Sequence, residues 1–147
     1  MTVAEAFIRR RDDARQVPMR FDRGVAHHLV GPDDGASLVD AHVNVLNQDS
    51  GMGPYHLHER AENVYVVLDG IFRVIVDGRR YYLAEGDVAF IPPGTPHAAG
   101  SAGFGTATAI EIYAPAGPDF HILDDPTDVE DVDRPEIAHL LPGGDDA

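Results

Sequence analysis

Residues 51–70 read GMGPYHLHERAENVYVVLDG, and this stretch decides how the chain is organised. His56 and His58 stand one residue apart. On an extended strand residues i and i+2 point to the same face, so both imidazoles can reach one point in space. Glu62 and Asn63 follow, then an apolar run over 64–68 that ends at Gly70. Paired imidazoles beside a carboxylate on a strand are a donor set for a transition metal. A third ligand and a scaffold have to come from the rest of the chain.

Downstream, 71–76 reads as a strand, Asp77-Gly78 as a two-residue hairpin turn, and 79–84 as the returning strand. Gly86-Asp87 turns again into 88–91. The segment PPGTP (92–96) cannot be helix and leads directly to His97. Residues 106–113 alternate, with Ala107, Ala109, Glu111 and Tyr113 on one face. Glu111, among small neighbours, is a candidate to face the same cavity as the histidines, as a base or a compensating carboxylate. Tyr65 is read as a packing residue or, alternatively, a pocket wall.

Upstream, 37–46 alternates too, with Val39, Ala41, Val43 and Val45 against Asp40, His42 and Asn44. That pattern predicts a half-buried antiparallel strand. GPDDG (31–35) is a turn, and 21–30 a strand or two. Residues 1–16 are arginine-rich and predict either a short helix or an arm. Many short strands, regular turn signals and no convincing long helix imply an all-β sandwich or barrel. Residues 119–147 carry ten acids, one arginine and three prolines, and read as an extended or partly disordered acidic tail anchored by Phe120, Ile122 and Leu123. The division is an N-terminal arm over 1–20, a barrel over 21–118 and the tail over 119–147.

Composition narrows the chemistry. A chain of 147 residues fits one domain with one core. The absence of cysteine excludes disulfides, thiolate metal sites and cysteine nucleophiles, so any metal must use nitrogen and oxygen ligands. All eleven basic residues are arginine, which excludes Schiff-base chemistry and a lysine phosphate loop. A formal net charge of −14 argues against nucleic-acid binding. No apolar run approaches the ~18 residues of a membrane span, so the expectation is a cytoplasmic protein without membrane contact.

These residues resemble the cupin family. Its first motif is a glycine, five residues, HxH, three or four residues, glutamate, six residues and glycine. Its second is glycine, five residues, PxG, two residues, histidine, three residues and asparagine. Here His56, His58 and Gly70 fit the first motif, while Gly51 stands one residue too close to His56. Gly86, Pro92, Gly94 and His97 fit the second at every spacing, and Ser101 replaces the asparagine. The resemblance covers roughly residues 37–115. It implies a small, RmlC-like cupin: a double-stranded β-helix, or jelly-roll barrel, with a short N-terminal arm and an acidic C-terminal tail. It also implies a divalent transition metal (Fe, Mn, Ni, Co or Zn) held in the barrel by His56, His58 and His97.

The fourth ligand has two candidates. Counting back from Gly70 selects Asn63; counting forward from His58 selects Glu62, which a one-residue bulge would turn inward. Site residues are therefore His56, His58, Glu62, Asn63 and His97 for metal, with Glu111 and Tyr65 as catalytic candidates. The functional expectation is a small-molecule enzyme, dioxygenase-like or else a decarboxylase or isomerase. The alternative is a non-catalytic module that binds or senses a small molecule. A homodimer is expected, with residues 17–30 as the segment that crosses to the partner.

Overall fold

The structure is a computed structural model and describes residues 4–143. Twelve strands build it. The first sheet contains β1 (Arg15–Pro18), β2 (Gly24–Val30), β3 (Asp40–Leu46), β5 (Glu62–Asp69), β8 (Val88–Ile91) and β10 (Ala107–Ala114), in the order β1-β2-β3-β10-β5-β8. The second contains β4 (His56–Leu57), β6 (Phe72–Val76), β7 (Arg79–Leu83), β9 (His97–Ser101), β11 (His121–Ile122) and β12 (Glu130–Asp131), in the order β11-β4-β9-β6-β7-β12. All pairings are antiparallel except β12 on β7. Consecutive strands such as β8 and β9 lie in different sheets, which gives the jelly-roll connectivity of a double-stranded β-helix.

Alternation puts one side of each strand indoors. Leu46, Tyr65, Val67, Phe72, Val74, Leu83, Ile91, Ala107 and Ala109 form the core between the sheets. The turns follow local chemistry. Asp77 and Gly78 both take positive φ (55° and 77°), as a two-residue hairpin turn with right-handed strand twist requires. Gly70 has φ 73°, and a Cβ there would sit 2.5 Å from the Thr106 carbonyl oxygen. The return from β5 to β6 beside β10 therefore needs glycine.

Both ends of the chain pair with the sheets. Among the described residues the arginine-rich start forms no α-helix: 4–10 is irregular, Arg11–Asp13 is one 3-10 turn, and β1 follows. The apolar stripe is too thin to bury, and Ile8 stays 97% exposed. Residues 15–18 fold back on β2, and β2 pairs with β3 of its own chain. At the other end the tail is extended but docked. β11 pairs with β4, β12 lies along β7, and the 3-10 helix Pro135–Leu140 buries Ile137. Arg134 ties this segment down through the Asp87 carboxylate and the Tyr82 carbonyl. No helix among the described residues is long and apolar enough to cross a membrane.

Candidate metal centre

β4 delivers His56, the residue after it is Leu57, and His58 closes the pair. The Pro92–Thr95 turn delivers His97 at the start of β9, where it stands in register opposite His56. One ring nitrogen from each histidine lies within 4.8 Å of the other two. All three residues are buried, and His97 is wholly so.

Each Nδ1 is held by a backbone carbonyl. His56 Nδ1 donates to Pro54 O at 2.7 Å, His97 Nδ1 to Thr95 O at 2.9 Å, and His58 Nδ1 to Asp119 O. A carbonyl only accepts, so each Nδ1 carries a proton, which makes Nε2 the nitrogen on which a metal could sit. Burial pushes the His56 imidazole down to about 4, and burial also lowers His97, so both rings are neutral near pH 7. His56 Nε2 and His58 Nε2 are buried without a hydrogen-bond partner.

Asn63 stands on the same inward face of β5 as Tyr65 and Val67, completely buried. Its Nδ2 donates to Glu111 Oε2 at 3.2 Å and to Ile112 O at 3.1 Å. Those two acceptors fix the amide, so Oδ1 faces His97 Nε2 at 3.1 Å. Two acceptors facing each other repel unless a cation lies between them. Together with the orphaned Nε2 atoms, this contact fits a metal held by His56, His58, His97 and Asn63.

Glu62 is not brought to this cluster. It is exposed, on the opposite face of β5. β5 does carry an irregularity in register, but at its far end, where Asp69 and Val67 face the adjacent residues Thr108 and Ala109. The register from Tyr65 back to Asn63 is unbroken, so Glu62 keeps its outward parity.

Glu111, on β10, is buried beneath Asn63. Its Oε1 accepts from Asn44 Nδ2 at 2.8 Å and His42 Nε2 at 3.0 Å. Burial alone would raise its pKa, but the His42 hydrogen bond and charge, with donors Tyr65 and Asn44, hold the carboxyl down to about 2. Burial and the adjacent Glu111 charge push the Tyr65 and Tyr113 phenols well above their usual value, so both keep the protons they offer to Glu111. His42 is lowered by burial and raised more by Glu111, with a net upward shift.

A strap after the barrel closes the site. Phe120 stacks on His56 with ring centroids 4.2 Å apart. The Asp119 carboxylate accepts from the backbone N–H groups of Glu59, Arg60 and Ala61 at 2.7, 2.7 and 2.9 Å. A cavity of about 190 Å³, lined by Asp40, His58, Ala61, Tyr113, Pro118 and Phe120 among others, reaches His58 from outside. Asp119 carried no signal in the sequence, because a side chain that binds backbone N–H groups leaves no periodicity or spacing to read. Ser101, the departure from the second motif, donates to Asn47 O at 2.8 Å and tethers the loop that leads into the first.

The cupin-domain family matches residues 44–113, which hold every member of the cluster and Glu111. Over 44 residues the chain is 48% identical to the quercetin 2,3-dioxygenase of Bacillus subtilis, a match covering 30% of this chain and 13% of that enzyme. The chain thus spans a small part of the curated relative it matches. Among solved structures, the polyketide cyclase RemF from Streptomyces resistomycificus superposes with a TM-score of 0.69 at 21% identity, covering 94% of this chain and 95% of that one. An RmlC-like cupin from Shewanella frigidimarina superposes with a TM-score of 0.65 at 22% identity, covering 78% and 96%. At those identities the likeness concerns the fold. The family match lies over the strands that carry both motifs, and the two-sheet barrel extends beyond it on each side; what the comparisons identify in this chain is a match to the cupin domain over residues 44–113.

Proposed function

We propose that the protein is a metal-dependent cupin enzyme acting on a small organic molecule. The observation that carries this reading is the set of three buried imidazoles, each spent at Nδ1 on a backbone carbonyl and converging at Nε2. His56, His58 and His97 would hold a divalent transition metal (Fe, Mn, Ni, Co or Zn), with Asn63 Oδ1 beside them. When bound, the metal supplies Lewis-acid or redox chemistry to a substrate oxygen. The chain's own residues do the rest. The carbonyls of Pro54, Thr95 and Asp119 keep the rings in the ligating tautomer. Phe120 and the strap keep bulk water away, and the cavity beside His58 and Tyr113 admits a small ligand.

Glu111 and Tyr65 serve this site as supports. Every donor around Glu111 is already bonded to it, so it is a poor general base, and Tyr65 stays a phenol that donates to it. A dioxygenase is the leading subclass, supported by the local likeness to quercetin 2,3-dioxygenase; decarboxylation or isomerisation uses the same Lewis-acid site. A second reading, a non-catalytic binding module, is favoured by one observation: the two titratable groups expected to act in catalysis are both committed to the network around Glu111.

Metal analysis of untagged protein, with His56→Ala and His97→Ala, decides between them. The enzyme reading expects about one metal per chain, lost in both variants, with oxygen uptake or turnover on enolic or catechol-like compounds. Metal-free protein that still binds such compounds would support the module.

A further inference from the structure

We infer that Glu111 acts through Asn63 as the anion of the metal centre, a positioning carboxylate one hydrogen bond removed from the ligands. The inference rests on the reading of His56, His58 and His97 as a metal site. Three neutral imidazoles and an amide oxygen bring no negative charge to a buried divalent cation. Leaving such a charge uncompensated in a protein interior is costly. Two carboxylates are buried among the described residues, Glu111 and Asp119. Asp119 uses both oxygens on the N–H groups of residues 59–61. Glu111 is the one that faces the cluster.

Its hydrogen bonds show how it does so. Asn44 and His42 donate to Oε1, and Asn63 Nδ2 donates to Oε2 at 3.2 Å. Ringed by donors, Glu111 is ionised yet has no position from which to ligate. It reaches the cluster by the amide of Asn63, whose far end is the oxygen that faces His97. Strand pairing arranges this. Tyr113 stands opposite Asn63 and Glu111 opposite Tyr65, so Asn63 and Glu111 are diagonal neighbours on one face. A charge-assisted hydrogen bond to the amide N–H₂ both aims its oxygen at the Nε2 atoms and makes that oxygen more negative. Glu111 thus provides the charge without taking a coordination position beyond the one that the Asn63 oxygen offers.

Cobalt(II) binding to the untagged full-length protein tests this, by chelator competition and by the visible absorption of the bound ion. Wild type is expected to bind one cobalt per chain, and His56→Ala to lose it. Glu111→Gln keeps the shape and removes the charge; it should weaken cobalt binding by about 10- to 100-fold and shift the visible bands. Asn63→Ala should weaken it by a similar factor, and adding Glu111→Gln to Asn63→Ala should cost little more, because both break one relay. Moving the carboxylate forward, with Asn63→Asp and Glu111→Gln together, should recover most of the lost affinity. Wild-type affinity and unchanged bands in Glu111→Gln would overturn the inference and leave the three-histidine site standing. Failure of wild type to bind cobalt would overturn both. Should Glu111→Gln not fold, Asn63→Ala decides alone, and unchanged affinity there overturns the inference.

Discussion

At the residue scale, each imidazole of the cluster is committed at one nitrogen and free at the other, and the same economy governs Glu111. The convergence of His56, His58 and His97 was legible in the sequence, because strand parity and a Pro-Gly turn are local rules that place side chains. The choice between Glu62 and Asn63 was not. The two motif counts conflict, and only the pairing of β5 with β10 and β8 decides which residue faces inward. Nor does sequence show that Glu111 is saturated with donors, since His42 and Asn44 reach it from β3 and Asn63 and Tyr65 from β5. The donor count makes a prediction. Tyr65→Phe leaves the buried carboxylate one hydrogen bond short and should destabilise the fold by about 1.5–3 kcal/mol. Urea unfolding should show a lower midpoint at unchanged slope; an unchanged midpoint would mean that the Tyr65 hydroxyl contributes nothing to holding the charge.

At the scale of elements, the alternating strands, the Asp77-Gly78 hairpin and the two glycine-bounded turns follow from sequence pattern. The tail does not. Ten acids and three prolines suggest a loose chain, yet Glu130 and Asp131 lie beside Arg79 and Arg80, with Arg80 Nη1 2.7 Å from Asp131 Oδ1. Composition cannot show that β4 and β7 offer open edges for such a segment. The strap at the start of the tail is held by Asp119. Burial raises its pKa, but the N–H groups of Arg60, Glu59 and Ala61 outweigh that and hold it to about 2, against an unfolded value near ~3.9. A depressed folded pKa means stability that is present above about pH 4 and lost as pH falls towards 2. Asp119→Ala should remove that acid-limb dependence and speed amide exchange at residues 59–61 and 121–123. Hydrogen exchange followed from pH 5 downward checks it; identical protection in variant and wild type would exclude the latch.

At the scale of the whole molecule, the first sheet leaves an apolar outer face. Val64 pairs with Phe90 and Ile112, and Val66 with Val88 and Ile110, while Val88 and Phe90 on the edge strand are 59% and 57% exposed. A face of this kind fits a homodimer. Sedimentation at micromolar concentration should give twice the chain mass, and Phe90→Glu should give single chains with the barrel intact. Wild-type protein that sediments as a single chain would exclude that assembly. One further consequence follows from where His58 finds its carbonyl. His56 and His97 are each anchored by a residue two positions earlier on their own loops, but His58 is anchored by Asp119, six residues past the last position of the matched cupin unit. A fragment excised at Tyr113 for grafting into another scaffold would carry all three rings, and one of them would be free to spin.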